Sequence, residues 1–423
     1  MERKKVKQFG YLQLIIASLL IGLLCSGLAI ILKHSTEFFE HLIFNKVNNY
    51  NKFLFIVLPT IGITAIYFLR KYLFKNKKNK GITEIYKTID QRKDHLPFYK
   101  IPSHFFNGFL TVIFGGSTGI EVSTVVATAA VGNLTYKKGF SAKMYKKELV
   151  CAAVTAGVAI LFTSPLAGWL FSMEVIARKM SKSLIISCTA SALVAWILLL
   201  IFKEPTLLSF KVSEWNYYAI PFFILLSFLG SLLSVYFTLL VTRLKRLFSK
   251  ISNNFLRVNI GAILIGLLIL YFPSLYGDSY HGLKIIVENS INNQGLPILL
   301  LLVLMLLKPL AASLTLGAGG DGGVFAPSIV AGAFLGLLFA AFFNSYFGTE
   351  LIPLNFAMVG AAATLSASLY APFTSLVLIC ALLPNGNELF VPILMCCLLA
   401  QLFSKKILPY NVYTYDSYLS SKA

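Results

Sequence analysis

Charge is scarce in this chain of 423 residues: Asp, Glu, Lys and Arg make up 13% of it, about half of the ~25% usual in a soluble globular protein. Acid is scarcer than base, with 17 Asp and Glu against 37 Lys and Arg and a formal net charge of +20. Cysteine is sparse and unpatterned. Cys25, Cys151, Cys188, Cys380, Cys396 and Cys397 sit in or at the ends of apolar stretches, and none has the CxxC spacing of a metal or redox site. The five histidines, His34, His41, His95, His104 and His281, include no HExxH, and no Ser/His/Asp arrangement stands out by order or spacing. No catalytic residue, metal or cofactor is therefore expected, and the chain does not read as an enzyme. These shortages exclude secreted disulfide scaffolds, coiled coils, disordered chains and soluble enzymes.

Apolar residues are what the chain has in excess, at 57%. A helix crossing the hydrocarbon core needs about 20 of them in a row. Candidate spans fall at 12–32, 53–69, 184–202, 217–241, 260–272, 296–307 and 329–343. The basic residues cluster between them, at 70–80, 137–147, 178–182 and 243–250. Short basic loops hold a membrane protein's cytoplasmic side in place, so the excess charge does not point to nucleic acid. The expected class is an all-α polytopic membrane protein of the cell membrane, in contact with lipid. Its basic start, residues 1–8, precedes a first helix without a small-residue cleavage site, which implies a retained helix and a cytoplasmic N-terminus.

Three further apolar stretches are broken. Gly115, Gly116 and Gly119 interrupt 105–134, Pro165 interrupts 149–176, and Pro372, Pro384 and Pro392 interrupt 354–403. Non-helical backbone at membrane depth survives only inside protein or beside a water-filled cavity. Interruptions in both halves of a chain point to a transport site at the midplane. An inverted repeat fits this pattern, although no residue-level self-similarity is evident.

Two of the breaks carry chemistry. In the first, Phe114-Gly115-Gly116-Ser117-Thr118-Gly119-Ile120-Glu121, a carboxylate follows a glycine-rich loop. An intramembrane acid is costly unless it is protonated, paired or beside water, and such residues are functional by default. A helix starting near Gly119 would add its positive end to backbone N–H groups facing a cavity. The bland alternative is an acid that merely caps a helix. The second, Gly317-Ala318-Gly319-Gly320-Asp321-Gly322-Gly323-Val324-Phe325-Ala326-Pro327, reads as a backbone loop feeding a helix that starts near Pro327. The N–H groups of Val324 and Phe325 are then candidates for holding an anion.

Together these segments resemble the CLC family of chloride channels and anion/proton exchangers. The stretch from Gly115 to Ser123 is similar to the family's GGSxG[RK]EGP, and Gly322 to Pro327 matches its GGxFAP in full. Phe162 to Gly168 with Phe171 and Glu174 resembles its AG…FNAPLAG…F..E helix, and Tyr415-Asp416-Ser417-Tyr418-Leu419 its YDSIL. The resemblance implies about eighteen membrane-embedded helices in two inverted halves, near 11–210 and 211–403. It places a C-terminal helix carrying a pore tyrosine at 404–423, with no cytoplasmic regulatory domain. It implies a homodimer moving chloride by default, coupled to protons. Glu121 takes the gating role, Val324 and Phe325 supply anion-binding amides, and Tyr415 contacts the anion. Gly119 and Ile120 line the site, with Gly115, Gly116, Gly322 and Gly323 as its loop glycines.

Departures matter as much. The family's GSGIP falls on Asn79-Lys80-Gly81-Ile82-Thr83, so its anion-coordinating serine becomes Lys80, either a pore cation or one more loop charge. The arginine before the gate is Ile120, and the glycine and proline after it are Val122 and Ser123. The inner proton-transfer glutamate corresponds to Val175. Its loss leaves two alternatives to a chloride/proton exchanger: a fluoride/proton antiporter of the same family, or a passive chloride channel.

Overall fold

The computed structural model describes residues 2–74, 77, 79–90, 96–139, 144–212, 214–292 and 297–422, with the side chains of 2–8 and 421–422 excepted; His95 lies outside this set. Among the described residues there is no extended strand, only helices, turns and one isolated bridge. The helices are α1 (Glu2–Tyr50), α2 (Leu54–Phe68), α3 (Ile82–Asp90), α4 (Lys100–Ile113), α5 (Glu121–Lys137), α6 (Lys146–Leu161), α7 (Pro165–Phe171) and α8 (Lys182–Phe202). The second half holds α9 (Ile220–Ser249), α10 (Asn254–Tyr271), α11 (Tyr280–Ile291), α12 (Ile298–Ala318), α13 (Phe325–Phe347), α14 (Pro353–Leu369), α15 (Pro372–Ala381), α16 (Phe390–Ile407) and α17 (Tyr415–Lys422). π-Helical turns at Leu69–Leu73 and Ser172–Ala177 extend α2 and α7.

Eight helical stretches among the described residues are long and apolar enough to cross a membrane. Their outer faces are apolar, with Leu24, Ile201, Phe202 and Leu299 each more than half exposed. A rim of such residues suits lipid rather than water.

Local chemistry sets the helix ends. Ser164 caps α7 by accepting from the Ala167 N–H at 3.3 Å, with Pro165 in the first turn, where no backbone donor is needed. Asn253 caps α10 through the N–H groups of Phe255 and Leu256. Pro372 likewise opens α15. Pro392, read from sequence as a break, is the third residue of α16 and breaks nothing, for the same reason. The helix expected to start near Pro327 starts two residues earlier, at Phe325.

Small residues let the helices approach closely. A Cβ on Gly332 of α13 would stand 2.5 Å from the Gly360 carbonyl oxygen of α14, and one on Gly360 2.3 Å from that of Gly332. Backbone contact through glycine is how helices pack without a hydrophobic driving force between them. Several buried hydroxyls are satisfied within their own helices. Thr36, Thr111, Thr155 and Ser313 each donate to the carbonyl four residues back. Elsewhere Glu204, beyond α8, ties that helix to α1 by accepting from Lys33 Nζ at 2.8 Å and pairing with His34 Nε2 at 2.6 Å. Burial alone would raise the Glu204 carboxyl, but these two partners outweigh it and hold it below its ordinary value.

Candidate anion and proton site

The site is assembled where two helices begin. α4 ends at Ile113 and the chain reverses through Gly115 at φ +84°; α12 ends at Ala318 and reverses through Gly319 at φ +112°. Such backbone is strained for any residue with a Cβ. Both turns close the same way: Gly116 N–H donates to the Thr111 carbonyl at 2.7 Å, and Gly320 N–H to that of Thr315 at 2.9 Å. The threonine hydroxyls are exchanged between the halves. Ser117 N–H donates to Thr315 Oγ1 at 3.1 Å, and Asp321 N–H to Thr111 Oγ1 at 2.9 Å. Gly119 and Gly323 then form an antiparallel bridge. One residue further on, Ile120 and Val324 take the N-cap positions of α5 and α13. Reciprocal contacts of this kind define a local two-fold between the loops. Contrary to the expectation from sequence, a residue-level repeat is present: T-x-x-x-G-G-x-x-G runs over Thr111–Gly119 and again over Thr315–Gly323, 204 positions later.

Glu121, the first residue of α5, is buried at 4% exposure. Its carboxylate folds back over Gly119, where a Cβ would meet it first. Oε1 accepts from Tyr280 Oη at 3.3 Å, while Oε2 has no hydrogen-bond partner among the described residues. Behind this loop Lys308 is fully buried on α12. Its ammonium donates to Ser117 Oγ at 2.8 Å, Ser279 Oγ at 2.7 Å and the Gly277 carbonyl at 3.2 Å.

Two cavities flank the bridge. The smaller, ≈ 290 Å³, is lined by Glu37, Glu40, His41, Asp278 and Tyr280 among others, and reaches Glu121 through Tyr280. The larger, ≈ 720 Å³, is lined by Val122, the 316–324 segment and Tyr413, and by Arg70, Lys71, Lys80, Lys245, Arg246 and Arg257 against Asp321 and Asp416. Its balance of charge draws anions.

Of the candidates read from sequence, the structure brings together Gly115, Gly116, Gly119, Ile120, Glu121, Gly322, Gly323, Val324 and Phe325. It separates Tyr415 from them. The hydroxyl that accepts from the Val324 N–H, at 3.3 Å, belongs to Tyr413, which is buried and packs its ring 6.4 Å from that of Phe325. Tyr415 stands at the cavity rim, where its Oη accepts from Arg246 and its ring lies 4.9 Å from Tyr410. Tyr-Asn-Val-Tyr-Thr-Tyr at 410–415 offers three tyrosines. Only the turn anchored by Asn411, whose Oδ1 accepts from the Tyr413 and Thr414 N–H groups, decides which one points inward. The Lys80 side chain is exposed on the wall of the larger cavity, and its own N–H donates to Glu84 Oε1 at 3.0 Å. Val175 is buried in a π-helical turn with its carbonyl accepting from Tyr86 Oη. The neighbouring Glu174 accepts from Thr374 N–H and Oγ1 at 2.7 and 2.6 Å, capping α15.

Paired re-entrant loops presenting helix N-termini and an acid between two cavities define a membrane transport protein for anions. The sequence profile described as voltage gated chloride channel matches residues 61–405, and the chain belongs to that family. It is 28% identical over 353 residues to the H(+)/Cl(-) exchange transporter ClcA of Vibrio cholerae serotype O1 (strain M66-2), spanning 80% of this chain and 74% of that one. Over 315 residues it is 25% identical to the voltage-gated ClC-type chloride channel ClcB of Shigella flexneri, covering 72% of each. The fold superposes with a TM-score of 0.79 on a CLC-type fluoride/proton antiporter at 22% identity, covering 95% of this chain and 96% of that one. A slow cyanobacterial Cl-/H+ antiporter gives 0.79 at 19% identity over the same shares.

Proposed function

We propose that this membrane protein exchanges a halide for a proton, with Glu121 serving both ions in turn. The observation that carries the reading is the place of that carboxylate: buried at the start of α5, folded over Gly119, and hydrogen-bonded by Tyr280 on the side of the smaller cavity. Ionised, it occupies the ground an anion would take; protonated, it swings clear and takes its proton with it. The anion rests on the N–H groups of Val324 and Phe325, with Gly119 and Ile120 opposite and the Tyr413 hydroxyl beside them. Helix N-termini supply the positive potential without a fixed cation, which keeps binding weak enough for release. Arg70, Lys80 and their neighbours gather anions in the larger cavity.

Chloride is the proposed ion. Fluoride is the second reading, carried by Lys80, Ile120 and Val175, which depart from the chloride pattern where the family's fluoride exchangers also depart. The proposed assembly is a homodimer with one pore in each subunit, in the inner membrane of a bacterial-type cell, with the N-terminus and the larger cavity facing the cytoplasm. The two halves near 11–210 and 211–403 are the proposed repeats, followed by the 404–423 segment. Purified protein in liposomes, given a chloride and then a fluoride gradient with a pH probe inside, tests the reading. Uphill proton movement driven by chloride is expected, uphill movement driven by fluoride alone selects the second reading, and fast anion flux with still protons overturns the coupling.

A further inference from the structure

His104 has no part in the scheme above, yet it is fully buried on α4 in the register that Lys308 holds on α12, 204 positions later. Its ring stands between two acids. Nδ1 is 3.4 Å from Asp321 Oδ2 and Nε2 is 4.0 Å from Glu84 Oε2. Among the described residues, the cations near these acids include Lys100 on α4, whose Nζ donates to Glu84 Oε1 at 2.7 Å, Arg70 beyond α2, whose Nη2 lies 3.8 Å from Asp321, and Lys245 of α9, whose charge also acts on Asp321. Asn79 Nδ2 donates to Asp321 Oδ2 at 2.5 Å. Beside two buried carboxylates, protonation of the imidazole changes the charge of this cluster by one. What the cluster holds is the anion loop itself: Arg70 Nη1 donates to the Gly319 carbonyl at 2.7 Å, and Asp321 lies three residues before Val324.

We propose that His104 is a positioning residue whose protonation raises halide affinity at the Val324 and Phe325 amides, giving the larger cavity a proton–anion linkage separate from Glu121. Protonated, the imidazolium ties Asp321 and Glu84 together, fixes the loop and adds positive potential behind its amides. Neutral, it leaves one acid facing a lone pair and the loop less firmly held. Linkage is reciprocal, so a bound halide draws a proton to His104. The inference rests on the halide reading given above.

The experiment is calorimetric binding of chloride and of fluoride to the purified protein in the Glu121→Gln background, which removes the gate's own titration. Between about pH 5 and pH 9, affinity for the bound halide is expected to fall on the order of tenfold, a typical coupling. His104→Asn is expected to bind weakly at every pH. His104→Lys, charged throughout between its two acids, is expected to bind tightly at every pH. A pH slope that survives in either variant, or none in the parent, overturns the inference while leaving the halide reading in place. Failure of both halides to bind at any pH overturns both. Should His104→Asn fail to fold, the slope in His104→Lys decides.

Discussion

The stretch from Thr111 to Glu121 and the stretch from Thr315 to Phe325 can be laid on one another residue by residue. Each reverses on a left-handed glycine, closes onto the carbonyl of its threonine, lends that threonine's hydroxyl to the other, and ends at a helix N-terminus. Their side chains part company. Where the first has Ser117 and Glu121, the second has Asp321 and Phe325. The first is held from behind by Lys308, the second by His104, Arg70 and Asn79. One backbone cage thus serves two purposes. In the proposed mechanism the second copy offers its amides with no acid at that position, and the first places Glu121 there as the anion's competitor.

The comparison is broken most completely at Glu121. Glu121→Gln makes the first loop resemble the neutral second one, and uphill proton movement in liposomes should drop to background while anion flux continues. Retained pumping would remove Glu121 from the proton path. Next in size is Lys308→Met, which takes the donor from the buried Gly277 carbonyl and one bond each from Ser117 Oγ and Ser279 Oγ, which keep theirs to the Leu275 and Tyr276 carbonyls. Leaving buried acceptors without donors costs about 1–3 kcal/mol for each group lost, and thermal unfolding in detergent should come several degrees earlier; an unchanged midpoint would mean the first loop stands without its lysine. Smaller, and expected to be equal in the two halves, are Gly116→Ala and Gly320→Ala. Their methyls would fall 2.7 Å from the Thr111 carbonyl oxygen and 3.0 Å from that of Thr315, overpacking that costs about 1–3 kcal/mol. A large loss from one and none from the other would deny the two-fold. Least of all, Tyr413→Phe removes the hydroxyl facing Val324 and should shift halide affinity by about threefold, the worth of a single modest hydrogen bond. Tyr415→Phe should leave binding unchanged, and the reverse ranking would return the inward tyrosine to position 415.

Much of this was legible in the sequence because it depends on residue type in a row. The spans around 184–202 and 329–343 fall within α8 and α13, since twenty apolar residues have few other homes. Glycine-rich breaks announced the re-entrant loops because glycine takes their left-handed turns, at φ +84° and +112°, without strain. What escaped depends on relations between distant residues. The first run, read at 12–32, extends as one helix to Tyr50 because its far end, with Lys33, Glu40 and Phe44, faces a cavity instead of lipid. Polarity there looked like the end of a span. His104 and Asp321 are apart by half the chain, and neither has a motif that names the other. Tyr413 differs from Tyr415 by a turn that Asn411 makes and no pattern encodes.

Each loop at the centre of this protein is finished by the other copy's atoms. Until Thr315, Lys308 and Asp321 have been synthesised, Ser117 N–H and Oγ, Thr111 Oγ1 and the Arg70 guanidinium lack the partners they keep in the finished fold. At ribosomal speeds of about 5–20 residues per second, the 204-residue interval is a wait of roughly 10–40 s. For that time the first half sits in the bilayer with an unfinished polar centre. The proposed ion path therefore cannot be completed before the second copy is made, and a nascent chain halted between the two copies carries Glu121 without the loop that faces it.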